Sequence, residues 1–190
     1  MISRFLSNAV VKAISFPSIR ILECSTFQIS NNSNLQEINL EKLDETKNNS
    51  FTVSGNPSLM SLDFPVLTSL SWPLSSLEIS KNENLASVTF TALPSLNGRL
   101  ILSNNDHLVE INLMKLKSLD YNGVLYLTDN LILEKVDFLS LSSFVPSGQI
   151  VITGNPNLQS LIFPQYPHAC FTPGDFPNNH PNLTVTCLGG

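Results

Sequence analysis

Side chains able to act as general acids, bases or metal ligands are few and scattered in this sequence. His107 follows Asp106, whereas His168 and His180 fall near the C-terminus with Cys170 between them. An enzyme needs such groups gathered at one place, and the sequence contains no His-Glu-x-x-His motif, phosphate-binding glycine loop or nucleophile elbow. The spacing of His168, Cys170 and His180 is irregular for zinc. We therefore expect no enzyme activity, no metal and no cofactor.

The positions of the cysteines bear on the cellular compartment in which the protein folds. Cys170 and Cys187 lie in the C-terminal segment, where a disulfide could tie down a final loop in an oxidising compartment. The alternative is a pair of free thiols. Cys24 would then have no disulfide partner in this sequence. It is either buried and unreactive, or it has lost its partner.

Three Asn-x-Ser/Thr sequons begin at Asn31, Asn48 and Asn182. Each one is weak evidence in a chain rich in serine and asparagine. Together they agree with an extracellular or cell-surface glycoprotein.

The composition excludes two classes of partner. Charged residues make up 13% of the chain and the net charge is −5, so there is no basic footprint for nucleic acid. No run of apolar residues is long enough for a membrane span. Residues 1–18 lack the apolar core of a secretory signal, so compartment has to be inferred indirectly.

An internal repeat organises the chain. An asparagine returns at intervals of 23 to 26 residues, and apolar columns recur five and three residues before it and three, six, eight and eleven residues after it. Apolar positions two apart indicate strands with one face inward, and only stacking of successive coils buries such a repeat. The repeated asparagines are Asn8, Asn32, Asn56, Asn82, Asn105, Asn130 and Asn155.

The repeat predicts a mainly β, right-handed solenoid of about seven coils, with two strands per coil. We expect repeats over residues 1–166 and, over residues 167–190, a cap and last strand of the same domain. The asparagines form an internal ladder that bonds the turn backbone, since buried turns must satisfy their polar groups. Hydroxyls two residues before each asparagine are expected to bond neighbouring backbone. Gly98, Gly123 and Gly148 supply the backbone angles of a tight corner.

One row of side chains should point outward from the first strand of each coil, four residues before the asparagine. Its last three members are apolar where polar residues are the default, so we expect a partner-binding or dimer patch there. The alternatives are cover by the cap or a β-branched preference in strands. This outer row consists of Gln28, Thr52, Glu78, Ile101, Tyr126 and Val151.

The frame Leu-x-Ile-Ser-x-Asn-x-x-Leu-x-x-Val-x-Phe-x-x-Leu, at residues 77–93, resembles the receptor L domain, the leucine-rich-repeat-like β-helix of insulin and EGF receptor ectodomains. It is similar also to the longer L-type repeats of fungal GPI-anchored cell-wall proteins, as in residues 98–105. The resemblance covers about residues 5–166, but the cysteine-rich N-terminal cap of receptor L domains has no counterpart. It implies a disulfide-capped, glycosylated domain used in recognition or wall organisation, without catalytic residues.

The functional hypothesis is a non-catalytic cell-surface module that binds a protein or glycan at a flat face. Three alternatives remain: a polysaccharide-active β-helix enzyme, an ice-binding solenoid and an intracellular leucine-rich-repeat scaffold. Asp63 and Asp137 share one repeat position but lie three coils apart, about 14 Å at the strand spacing. Glycosidase carboxylates lie within about 9.5 Å of each other, which disfavours the enzyme.

Overall fold

The computed structural model describes residues 2–47, 50–71, 75–120, 122–144, 149–164 and 173–187. These residues form twenty-one β-strands, β1 to β21 in chain order, and one 3₁₀ helix, Pro173–Asp175. No α-helix occurs among them. The strands stack in parallel into a solenoid of about seven coils, as the repeat predicts.

The first face of the solenoid is a continuous seven-stranded parallel sheet. Every strand pairs with the equivalent strand one coil later without a register shift, so residues equivalent in the repeat lie side by side. The strands, in spatial order, are β1 Ile2–Leu6, β4 Thr26–Ser30, β7 Ser50–Ser54, β10 Ser76–Ser80, β13 Arg99–Ser103, β16 Val124–Thr128 and β19 Gln149–Thr153.

The second face follows the asparagine turn and is divided into three short parallel sheets. Hydrogen bonding is interrupted after β5 and again after β14. The sheets are β2 Ala13–Ser15 with β5 Glu37–Asn39; β8 Ser61–Asp63 with β11 Ser87–Thr89 and β14 Glu110–Asn112; and β17 Lys135–Asp137 with β20 Ser160–Phe163 and β21 Thr184–Cys187.

A third face corrects the expectation of two strands per coil. Its short strands carry an inward column fourteen residues after the asparagine, including Leu22, Thr46, Leu70, Leu96 and Leu119, all buried. The sequence pattern did not reveal this column because its strands are only two or three residues long and one of its members is polar. The strands are β3 Ile21–Leu22, β6 Glu45–Lys47, β9 Ser69–Ser71, β12 Ser95–Leu96, β15 Ser118–Leu119 and β18 Ser143–Phe144.

The coil interior is filled by the repeated apolar columns. Phe64 stacks on Phe90 with ring centroids 5.0 Å apart, and Phe138 stacks on Phe163 at 4.9 Å. These separations match the spacing of neighbouring strands, about 4.8 Å, so rings of successive coils stack face to face where both coils have phenylalanine at this position. From the second coil on, the described members of the columns named above are nearly all fully buried.

Glycine is required at two corners for a reason other than the expected one. A Cβ on Gly98 would lie 2.7 Å from the Ser75 carbonyl oxygen, and one on Gly123 would lie 2.0 Å from the Leu96 carbonyl oxygen. The previous coil therefore approaches too closely for a side chain, and neither residue has a positive φ. Gly148 lies outside the described residues.

The described C-terminal residues continue the solenoid. Val185 of β21 pairs in register with Leu161 of β20, Phe176 is buried, and its ring stacks on Phe163 at 6.0 Å. Asn179 is an eighth member of the asparagine ladder. Sequence reasoning missed it, although it lies 24 residues after Asn155, because three of the six apolar frame positions around it are occupied by Gly174, Asn182 and Gly190.

Candidate functional site

The asparagine ladder consists of side chains turned into the coil, where they bond only to the protein. Asn105 is fully buried; its Oδ1 accepts from the Asn82 backbone N–H at 3.1 Å, and its Nδ2 donates to the Ile79 carbonyl at 3.0 Å. The same two bonds recur from Asn32 to Asn179, each side chain reaching back to the preceding coil. The ladder is structural, since its polar atoms are occupied within the turn.

The residue before each ladder asparagine has left-handed backbone at all eight turns. Six of these residues are not glycine, which is unusual because a Cβ is strained in this region. In the first six turns its N–H donates to a carbonyl of the next coil, as from Asn31 to Ser54 at 2.9 Å. The eight are Ser7, Asn31, Gly55, Lys81, Asn104, Asp129, Gly154 and Asn178, with φ between 52° and 70°.

The outer row lies along the centre of the first face. Strand pairing places Ile101 beside Tyr126 and Tyr126 beside Val151, and all six side chains are half-buried. Ile101, Tyr126 and Val151, called the apolar strip below, span about 10 Å at about 4.8 Å per strand. Neighbouring outward positions include Val124, which is also apolar.

The two halves of the first face differ in chemistry. The strip is flanked by Arg99 and Gln149 at one strand end and by hydroxyls at the other, whereas coils two to four present mainly hydroxyls. Glu78 in the polar half accepts a hydrogen bond from Ser80 Oγ at 2.8 Å. Only the apolar half combines an apolar centre with a polar rim, the anatomy of a protein interface.

The hydroxyl column two residues before the asparagine differs from expectation. Its side chains point outward and bond mostly to one another or to side chains, as Ser30 Oγ does to Ser54 Oγ at 3.0 Å. A backbone partner is present at Thr153, whose Oγ1 donates to the Pro177 carbonyl at 2.7 Å. Ser30 and Ser80 are buried, so only the half-buried members of the column, such as Ser103, Thr128 and Thr153, contribute to the rim of the first face.

Two grooves open on the second face where its hydrogen bonding is interrupted. They have volumes of about 370 Å³ and 330 Å³, and each has a Glu-Ile-Asn strand as one wall, at Glu37 and at Glu110. Asp63 and Asp137 lie on the opposite walls. The signal was present in the sequence: Leu-x-Glu-Ile-Asn-Leu-x-Lys-Leu occurs at residues 35–43 and 108–116 and nowhere else.

Each of the two aspartates has one polar partner. Asp63 accepts a hydrogen bond from Thr89 Oγ1, and Asp137 Oδ2 pairs with Lys135 at 3.0 Å, whereas Asp137 Oδ1 is buried without a hydrogen-bond partner. They lie in different sheets of the second face, in the third and sixth coils. The geometry brings together no acid and base pair at this position.

Among the described residues, the remaining titratable side chains are scattered over the surface. His107 Nδ1 lies 2.7 Å from the Glu83 carbonyl oxygen, which can only accept, so Nδ1 carries the proton there. Lys47 has its pKa raised by hydrogen bonds to Glu45 and Glu23 on the third face. Within the described ranges, no three His, Cys, Asp or Glu side chains are placed to share a metal ion.

The residues that bear on compartment are only partly described. Asn31 and Asn182 are exposed, whereas Asn48 lies outside the described residues. Cys24 is buried and unpaired. The expected Cys170–Cys187 bridge stays a prediction, because Cys170 and the side chain of Cys187 lie outside the description. None of the described helices is long and apolar enough to span a membrane.

Comparison of the chain with protein-family models, curated proteins and solved structures yields no match. The chain is a parallel β-solenoid of about seven coils.

Proposed function

We propose that the protein is a non-catalytic recognition module that binds a protein or glycan through the apolar half of its first face. One observation carries the proposal: Ile101, Tyr126 and Val151 stand in register on a flat sheet whose other half is polar. The three side chains are half-buried, so part of each still meets solvent, and apolar side chains grouped on a protein surface are typical of a contact site. Because the sheet is already ordered, little conformational entropy is lost when it binds a partner.

The resemblance of the repeat to receptor L domains and fungal cell-wall repeats supports the same class of function. The resemblance concerns the residue pattern of the repeat, so the function has to be argued from the chemistry of the surface. Exposed sequons at Asn31 and Asn182 favour an extracellular location. Asn31 ends the polar half of the first face, so a glycan there would leave the apolar strip uncovered.

The test compares a strip variant with a matched variant in the polar half. Labelled protein is applied to β-glucan, chitin and mannan, and to intact cells of its source. The Ile101→Ser/Tyr126→Ala variant should weaken binding at least about tenfold, because interfaces depend on a few central aromatic and apolar anchors. The Gln28→Ala/Thr52→Ala variant should bind like the wild type. Equal binding by both variants, with unchanged folding, would overturn the assignment.

A further inference from the structure

Three exposed aliphatic side chains lie beside the asparagine turns of coils five and six. Val109 is 51% exposed, Leu131 45% and Ile132 37%. Leu131 and Ile132 directly follow the ladder residue Asn130, and Val109 comes four residues after Asn105. We call these three residues the corner patch, because they lie where the chain passes from the first face to the second.

Ile132 lacks a hydrogen bond that five other turns make. In coils two to five and in coil seven, the side chain two residues after the asparagine donates to a carbonyl of the coil before, at Asn34, Ser58, Asn84, His107 and Asn157. Ile132 takes this position in coil six and has no polar group, so the equivalent bond to the Asp106 carbonyl is not made. Natural proteins break such local rules mainly at functional sites.

The corner patch lies at the mouth of one groove of the second face, and the other groove offers an internal comparison. Val109 is among the residues that line the groove at Glu110, which has a volume of about 330 Å³. Both grooves share a Glu-Ile-Asn wall, so the apolar mouth is not a property of the repeat. At the groove at Glu37 the positions equivalent to the patch are occupied by Gln36, Pro57 and Ser58.

Four carboxylates surround the corner patch. Asp106 takes the position of Leu131 one coil earlier, and Glu134 takes that of Val109 one coil later. The other two carboxylates, which are exposed, belong to Glu110 and Asp129. Within the described ranges none of the four forms an ion pair, and the neighbouring base Lys135 is already paired with Asp137. An acidic rim of this kind is complementary to a positively charged partner.

The chemistry of the patch favours a protein partner over a glycan. Aliphatic side chains offer no hydrogen bonds, so sugar hydroxyls buried against them would lose their bonds to water without replacement. An apolar centre with a charged rim is the usual anatomy of a protein interface.

We propose that the corner patch is a docking site for a protein segment that presents apolar side chains among lysine and arginine residues. The groove at Glu110 supplies a concave surface next to the patch, where an apolar anchor of the partner can insert. This surface is separate from the apolar strip, and the proposal does not depend on binding at the strip.

Selection of random twelve-residue peptides displayed on phage tests the proposal, with the wild type and the Val109→Gln/Ile132→Asn variant as targets. The repeat itself has glutamine and asparagine at these positions, in Gln36 and Asn34. An asparagine in place of Ile132 can donate to the Asp106 carbonyl, so the urea midpoint of the variant should equal or exceed that of the wild type. Peptides enriched on the wild type should combine lysine or arginine with leucine, isoleucine or phenylalanine.

The affinity of the most enriched peptide, measured by fluorescence polarisation, should fall at least about tenfold in the Val109→Gln/Ile132→Asn variant. Glu110→Gln/Glu134→Gln should weaken binding at least about threefold, and so should salt raised from about 0.05 M to about 0.5 M, because both reduce the attraction of the rim. Gln36→Ala/Ser58→Ala, at the mouth of the groove at Glu37, is the matched control and should bind like the wild type.

Enrichment of no peptide on the wild type relative to the variant would overturn the proposal, as would enrichment of peptides without basic residues or equal affinity for both proteins. A wild-type dimer that is lost in Val109→Gln/Ile132→Asn, observed by sedimentation velocity, would identify a second copy as the occupant and would also overturn it. The Ile101→Ser/Tyr126→Ala variant should keep its affinity for the peptide, so a failure at the apolar strip and a failure at the corner patch are distinguishable.

Discussion

The two ends of the solenoid use the same turn but expose different parts of it. At the C-terminal end Asn179 continues the ladder, and Phe176 covers the aromatic column. At the N-terminal end Asn8 is exposed, and Phe5 and Phe16 pack edge to face, with ring centroids 5.4 Å apart, beside solvent. A repeat protein is stabilised mainly by contacts between neighbouring units. In the described structure a neighbouring segment therefore packs on the last coil at the C-terminal end. The first coil has such a neighbour on one side only.

Replacement of the end phenylalanines should give the largest difference. Phe176→Ala removes a ring that is 3% exposed and should lower the free energy of unfolding by about 3–5 kcal/mol. Phe5→Ala removes a ring that already meets water and should cost the monomer about 1 kcal/mol. Urea denaturation followed by circular dichroism measures both. Equal losses would contradict the difference between the ends.

Replacement of the end asparagines should give the next largest difference. Asn179→Ala leaves the backbone N–H of the fully buried Asn155 without its acceptor, although Asn155 Nδ2 keeps its bond to the Leu127 carbonyl, and it should cost about 1–3 kcal/mol. Asn8→Ala removes bonds to the exposed amides of Val10 and Val11 and should cost less than about 1 kcal/mol. Asn34→Ala, outside the ladder on an exposed turn, is the control in the same assay.

The ladder and the two longer strand columns could be predicted from sequence because each interior position tolerates only one kind of side chain. The third face could not, since four of its six strands are two residues long and show no alternation. Asn179 was hidden because it keeps the ladder bonds with only half of the apolar frame around it. The positions of the two grooves depend on which neighbouring coils lack backbone hydrogen bonds on the second face. Leu40 and Leu113 replace phenylalanine in the two coils before the interruptions, which marks the places without explaining the loss of pairing.

Amide exchange should resolve the two ends in the wild type. Under dilute, monomeric conditions the amides of β1 and β2 should exchange at least about tenfold faster than those of β17 and β20, because local opening of a terminal coil breaks one neighbour contact instead of two. Hydrogen exchange with mass spectrometry measures this. Uniform protection along the chain would contradict the difference between the ends.

The smallest effects should come from the strained residues before the asparagines. Ser7 and Lys81 have φ of 52° and 55°, where glycine is preferred by about 1 kcal/mol, although its greater freedom in the unfolded chain offsets part of the gain. Lys81→Gly, in an interior coil, should raise the free energy of unfolding by about 0.5 kcal/mol. Ser7→Gly relieves the same strain in a coil that opens before the rest, so it should slow exchange in β1 and leave the urea midpoint unchanged. A shift of that midpoint by Ser7→Gly would mean that the first coil unfolds together with the rest, and the ends would then differ in exposure but not in cooperativity.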